Sequence, residues 1–378
     1  MKEILKYTLL SLTLSFYSCT KEKKTAEITK NKPVIEVGVF NGNGAGAVSV
    51  IETIEALKID TEIKAYPVSS SDIMSGKLDE LDVLIFPGGS GSKQLNNLGK
   101  LGKEKVTSFV HKEGKGIIGI CAGAYMLCST EGYPSLQIAG VKHIDRPHYD
   151  RGRGLVAFKI GKKGEAIFPE LKEKNQFLQY YDGPVIESLD RSKNYTEIAQ
   201  YVTDIHPHEG YPQGITPGKV FMYTEKIGKG KVFGIAGHAE STPGMRWMIP
   251  RMARWVSNKA LVSYDNKWVK PNQYTQALLF DKSLSKKEKK LWWQLADTDS
   301  QKQIAAMDSL YLIHSRPAVR WNIGLLRDLN PQIRAHAADL IAKTEYSDAI
   351  KDLEVAFSME KDSLTKQNIQ KALYFFKK

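Results

Sequence analysis

The sequence predicts an α/β protein: a doubly wound, mostly parallel sheet followed by a small all-α region. Three observations lead there. From residue 34 onward, short apolar runs alternate with helix-spaced segments, the pattern of βαβ units. Several runs end in glycine-rich turns, "NGNGAG" at 41–46, "PGG" at 87–89 and "CAG" at 121–123, as expected where buried strands hand over to loops or helices. From about residue 285 to the last residue the pattern is helical throughout.

Taken in order, "VIEVGVF" (34–40) is a near-continuous apolar run suited to a buried parallel strand. "AVSVIETIEALK" (47–58) has helical spacing, "TEIKAYPV" (61–68) is a second strand, and "LDVLIFPGG" (81–89) is a third, closed by its Pro-Gly-Gly turn. "GKEKVTSFVHKEG" (102–114) is a helix ending in glycine, and "GIIGI" (116–120) is a fourth strand leading into Cys121. Beyond residue 130, "GLVAFKI", "FLQYY" and "TEIAQYV" are strand-like, and Gly228-Lys229-Gly230 separates two β-rich runs as a hairpin turn. A Met- and Trp-rich helix at 244–261 follows, with Pro250 expected to kink or divide it. The α/β domain is thus expected over 34–262, a linker over 263–284 and a helical domain over 285–378. Ser285 and Glu288 have capping-box spacing ahead of "LWWQLA". "RPAVRWNIGLL", "NPQIRAHAADL" and the weaker echo "DSLTKQNIQKAL" suggest HEAT-like repeats, which commonly present a surface to a protein partner; a non-repetitive bundle is the alternative.

The N-terminus speaks to the compartment. "MKEILKYTLLSLTLSFYSC" has a charged start, an apolar stretch from Ile4 to Phe16, and small or polar residues up to Cys19, the makeup of a secretory signal. "FYSCT" resembles a bacterial lipoprotein signal. That resemblance implies a signal peptide over 1–18, lipidation of Cys19, and anchoring to a bacterial membrane on the periplasmic side or at the cell surface. A plain signal cleaved nearby is the alternative. The polar stretch 19–33 is expected as a flexible tether. The net charge of +12 is spread along the chain rather than gathered on a basic helix with interleaved aromatics, so no nucleic-acid partner is expected.

Three cysteines occur: Cys19, Cys121 and Cys128. If Cys121 opens a helix, Cys128 lies about 10 Å along it, too far for a disulfide. Gly119-Ile120-Cys121-Ala122-Gly123 reads as a sharp strand-to-helix turn that presents a nucleophile, because glycines two before and two after let the backbones pass closely. The helix start beside the sulfur favours a thiolate. The N–H of Ala122, with one from Gly88 or Gly89 after the preceding strand, could meet an oxyanion. His238-Ala239-Glu240 follows the last strand; in an extended segment, side chains two apart share a face, so Glu240 could hold His238 as the base.

These features resemble class I glutamine amidotransferase-like proteins. "GICAGAYML", "FPGGSGSKQLNNLG" and "YYDGP" look most like the N-terminal domain of biotin–protein ligases, over roughly residues 34–258. The resemblance implies a flavodoxin-like fold, a Cys121–His238–Glu240 triad, and Gly89 with Ala122 as oxyanion donors. Tyr125 stands where glutamine-using members have Gln, so release of ammonia from glutamine is not expected. No biotin ligase catalytic segment is read; "DRGRGL" (150–155) is a fragment of that pattern within the α/β part. What remains is thiol-dependent acyl chemistry on a small molecule or peptide, without a cofactor. Two alternatives stay open: a binding module that keeps the cleft, and a branch of the superfamily that pairs the cysteine with an early-strand carboxylate, here Glu36. "HPHEG" (206–210), with His143 and His148 elsewhere, is a weak metal signal without an evident third ligand; no metal is expected, and the loop is placed at the cleft rim.

Overall fold

The computed structural model describes residues 35–172, 174–189, 195–206 and 210–377. The signal peptide, Cys19 and the tether expected before residue 34 lie outside these residues, as do His208 and Glu209.

The chain begins with β1 (Ile35–Phe40), α1 (Ala47–Leu57), β2 (Ile63–Val68) and α2 (Ser70–Met74). β3 (Val83–Phe86), α3 (Gly91–His111), β4 (Gly116–Ile120) and α4 (Ala122–Leu127) follow. Every residue of β3 and β4 is buried, which is why these strands read as unbroken apolar runs. Next come β5 (Val141–His143), β6 (Arg153–Ile160), α5 (Lys162–Glu165), β7 (Gln176–Tyr181), β8 (Ile186–Ser188), β9 (Tyr195–Tyr201), β10 (Val220–Ile227) and β11 (Gly230–Ile235). α6 (Met248–Val256) and β12 (Leu278–Leu279) close the α/β part, and α7 (Lys282–Gln294), α8 (Ser300–Leu312), α9 (Arg316–Leu325), α10 (Pro331–Lys343), α11 (Ile350–Met359) and α12 (Ser363–Lys377) form the helical region.

One sheet holds all the strands, with its main path in the order β12-β6-β9-β10-β11-β4-β3-β1-β2. Its centre, β2-β1-β3-β4-β11, is parallel. Beyond β11 the pairings turn antiparallel, so the sheet is mixed rather than mostly parallel throughout. One reason is local: the two-residue turn Gly228-Lys229 joins β10 and β11 as a hairpin, which makes them antiparallel and sets the strand direction beyond. The strand order reverses at β1/β3. Loops after β1 and β3 therefore flank a crevice at the carboxyl edge of the parallel centre, where α/β folds commonly place a site.

Several local expectations change. Residues 263–284 were expected as a linker, yet Leu278 and Leu279 pair with Leu155 and Gly154 and extend the sheet. Pro250 sits in the first turn of α6, where its missing N–H costs no helical hydrogen bond, so it neither kinks nor divides the helix. α7 is capped by Asp281, whose side chain accepts the Leu284 N–H, not by Ser285. Glu288 is instead fully buried; it accepts from Ser315 Oγ (2.5 Å) and pairs with Arg153. Trp292 packs against the helical core, whereas Trp293 is 83% exposed.

The helical region belongs to the same compact unit as the sheet. Polar contacts tie them. The Gly244 N–H donates to Glu345 Oε2 (2.7 Å), Lys270 pairs with Glu345 Oε1 (2.6 Å), and Gln179 Nε2 donates to the His314 carbonyl (3.0 Å).

Candidate active site

Cys121 stands at the carboxyl end of β4, between strand and helix, with φ 50° and ψ −103°. A non-glycine residue rarely takes a positive φ, so the surroundings must hold it there. The flanking glycines explain how. A Cβ on Gly119 would lie 2.6 Å from the Gly123 carbonyl, and one on Gly123 would lie 2.1 Å from the Phe86 carbonyl. Only glycine lets α4 approach β3 and β4 this closely. The thiol is 6% exposed, and Sγ donates to the Tyr181 carbonyl at 3.1 Å. Cys128 does not lie on the same helix: α4 ends at Leu127, and Cys128 caps it with its sulfur on the Ala124 carbonyl (3.2 Å). Both cysteines are free thiols.

His238 follows β11, the strand beside β4. Its N–H donates to the Gln179 carbonyl (2.7 Å) and its carbonyl accepts from Thr242 Oγ1 (2.7 Å), which pins the residue to β7. The segment is not extended: Ala239–Ser241 forms a single 3-10 turn, and this turn brings Glu240 Oε1 to 2.7 Å from His238 Nδ1. His238 Nε2 is buried, and among the described residues no hydrogen-bond partner within ordinary geometry reaches it. Burial disfavours the charged ring, but Glu240 and Cys121 more than offset it and raise the imidazole to about 9. For Glu240, burial opposes ionisation, while His238, Arg316 and Ser49 together hold the carboxyl below its ordinary value.

Ser49, Glu52 and Arg316 complete the surroundings of Glu240. Ser49 Oγ, on α1, donates to Glu240 Oε1 (2.9 Å) and accepts the Gly88 N–H (3.0 Å). The Gly88 N–H is therefore committed to Ser49 and is not an oxyanion donor. Among the described residues, no acceptor is found for the N–H groups of Gly89 and Ala122. Gly88 must also stay small, since a Cβ there would meet His238 Cε1 at 2.6 Å.

Cys121, Ala122, His238, Gly88, Gly89 and Tyr125 all line one cleft of about 1140 Å³. Glu240 sits behind His238, fully buried. Tyr125 forms part of the wall: its hydroxyl donates to the Asp182 carbonyl (3.1 Å), and its ring lies 5.0 Å from that of His143. His143 shares Nδ1 with Thr130 Oγ1 (2.8 Å) and is pushed down to about 4 by burial and by Arg146 and Arg151, so it faces the cleft uncharged at neutral pH. Gly46, from the "NGNGAG" turn, also lines the cleft. His148 bonds Asp145 (2.7 Å), and among the described residues no three His, Cys, Asp or Glu side chains gather as a metal site. Glu36 lies at the other end of the sheet, level with Asp82 and paired with Lys64 (3.9 Å), so the early-strand carboxylate reading is set aside. In "DRGRGL", Arg151 pairs with Asp145 (2.8 Å) and Arg153 with Glu288, structural duties both.

Ser49 and Glu52 carried a readable signal: they are polar residues on the buried face of α1, beside Val50, Ala56 and Leu57. Arg316 carried none, because 76 residues separate it from Glu240 and only tertiary folding joins them.

The fold and site define an α/β protein with a cysteine elbow at the carboxyl edge of a parallel centre. A family model described as biotin–protein ligase, N terminal, matches residues 35–290, and the chain belongs to that family. This membership supports a glutamine amidotransferase-like fold. No curated protein matches the chain. Among solved structures, a ThuA-like protein from Bacteroides uniformis is similar over 60% of this chain and 92% of its own, at 13% identity and TM-score 0.41. A cytoplasmic protein from Salmonella typhimurium is similar over 60% and 97%, at 10% identity and TM-score 0.38. A β-galactosidase from Bacillus circulans sp. alkalophilus is similar over 64% of this chain at 14% identity and TM-score 0.35, but the match spans only 32% of that enzyme. Likenesses this distant bear on neither substrate nor activity.

Proposed function

We propose that the protein is an exported, lipid-anchored cysteine hydrolase or acyl transferase acting on an amide, ester or related acyl group of a small molecule or peptide. Export and anchoring rest on residues 1–19 alone. The chemistry rests on one observation: Cys121, His238 and the Glu240 behind it converge, from segments over a hundred residues apart, at an open cleft. In this reading Cys121 Sγ attacks the carbonyl carbon. The carbonyl oxygen becomes an oxyanion facing the N–H groups of Gly89 and Ala122. His238 holds the Cys121 proton during attack and then gives it from Nε2 to the leaving group as the tetrahedral adduct collapses. Water or a second nucleophile then gives a proton to His238 Nε2 and attacks the thioester; the acyl group leaves, and the proton returns to Sγ to restore the thiol. Glu240 keeps the ring oriented through Nδ1.

A second reading, a binding module with the same cleft, is favoured by the thiol's hydrogen bond to the Tyr181 carbonyl, which points the S–H at an acceptor that takes no proton. One experiment separates the two. The full chain is alkylated with iodoacetamide at pH 7 and the Cys121 peptide is followed by mass spectrometry. For an enzyme, His238→Ala slows Cys121 alkylation by about a hundredfold, and Glu240→Gln slows it less. Equal rates in all three proteins would overturn the catalytic reading and leave the binding module.

A further inference from the structure

A cation set close to the candidate triad comes from outside the sheet. Arg316 opens α9, and its side chain is 13% exposed. Its Nε and Nη2 donate to Glu52 Oε2 at 3.1 and 2.5 Å. The same Nη2 lies 3.8 Å from Glu240 Oε1, the oxygen that bonds His238. The guanidinium lies over the Tyr181 ring at 5.6 Å, and Tyr181 supplies the carbonyl that holds Cys121. Neighbouring residues fix where α9 starts, through Ser315 on Glu288 and the His314 carbonyl on Gln179.

Among the described residues, the charged groups around Glu240 come from four elements. Glu52 comes from α1, His238 from its own turn, Arg316 from α9, and Cys121 from the elbow beyond the ring. Two buried carboxylates, Glu52 and Glu240, thus share one guanidinium. Without it, two carboxylates that contact the same Nη2 would face each other uncompensated, which disfavours the ionised form of Glu240. Resting on the triad reading above, we propose that Arg316 is a positioning residue. Held by Glu52, it keeps Glu240 ionised and bonded to His238 Nδ1, so the thiol site is complete only while the helical region is docked on the sheet. The lowering of the Glu240 carboxyl, to which Arg316 contributes, agrees with this.

The test uses the full chain and alkylation of Cys121 by iodoacetamide between pH 6 and 9, so that no substrate is needed. Arg316→Met is expected to slow alkylation by about tenfold at pH 7. The gap should narrow towards pH 9, because rising pH favours the ionised form of Glu240 that the guanidinium otherwise secures. Arg316→Lys should fall between the wild type and Arg316→Met, because the charge remains while the second donor to Glu52 and the contact over Tyr181 are lost. Arg316→Met combined with Glu52→Gln should regain most of the rate, because a single carboxylate is left. A loss that is uniform across pH, or wild-type alkylation with only a lowered melting midpoint, would reduce Arg316 to a structural strap and overturn the proposal. So would a double variant that recovers nothing. If His238→Ala and Glu240→Gln leave the rate unchanged, the triad itself fails and this proposal falls with it; if they slow it and Arg316→Met does not, only this proposal falls.

Discussion

The two ends of α4 carry the same residue in opposite circumstances. At its start, Cys121 is strained at positive φ, lines an open cleft and faces a buried histidine-carboxylate pair. At its end, Cys128 is wholly buried with ordinary φ and ψ, bonds the carbonyl four residues back, and has its thiol pushed up to about 12 by burial. Six helical residues separate a candidate nucleophile from a core side chain. Surroundings, not residue type, decide which thiol can do chemistry.

The largest expected effect is on that contrast itself. In the folded protein, a thiol reagent should modify Cys121 more than about a thousandfold faster than Cys128, whose exposure needs local or global unfolding. Peptide mass spectrometry after graded exposure measures this; comparable rates would mean that α4 opens readily and that the two ends do not differ. Next comes the elbow. Gly123→Ala puts a methyl group into the Phe86 carbonyl, backbone against backbone, and should cost about 3 kcal/mol in a urea titration. The same change should slow Cys121 labelling, while Cys128 stays protected in the folded fraction. A variant as stable as the wild type would show that α4 can move off β3.

The smallest effect is on stability against pH, and the two ends separate by window. His238, raised from 6.5 to about 9, stabilises the fold fully below pH 6.5 and loses that contribution as pH rises through about 9. Cys128, raised from 9.0 to about 12, contributes fully below pH 9 and loses its share only above that. Urea midpoints should therefore fall between pH 6.5 and 9, and His238→Asn should flatten that fall without touching the loss above pH 9. A fall that survives in His238→Asn would assign it to another group.

Much of the elbow was legible because it is local. A buried strand, two flanking glycines and a helix start lie within eight residues, and each has its own steric reason. The same holds for the Pro-Gly-Gly turn and the 228–230 hairpin. His238 and Glu240 were found for a partly different reason: they do meet, but through a 3-10 turn and not an extended segment. Gly88 was offered as an oxyanion donor because nothing local announced Ser49 as its acceptor. Asp281 displaced Ser285 as helix cap because Glu288, the other half of the expected box, is drawn into a buried pair with Arg153 and a bond from Ser315.

The sequence by itself determined the alternation of strands and helices, the position of the elbow, and which cysteine sits on it. These follow from apolar periodicity and from glycine's freedom at φ values other residues avoid. Only the tertiary structure decided which N–H groups remain unpaired, where the sheet turns antiparallel, and that α9 brings Arg316 to Glu52 and Glu240. Those outcomes depend on buried charges and backbone groups finding partners across the fold. Such pairing leaves no periodic trace in the chain, because burial demands a partner and does not fix how far along the chain it must lie.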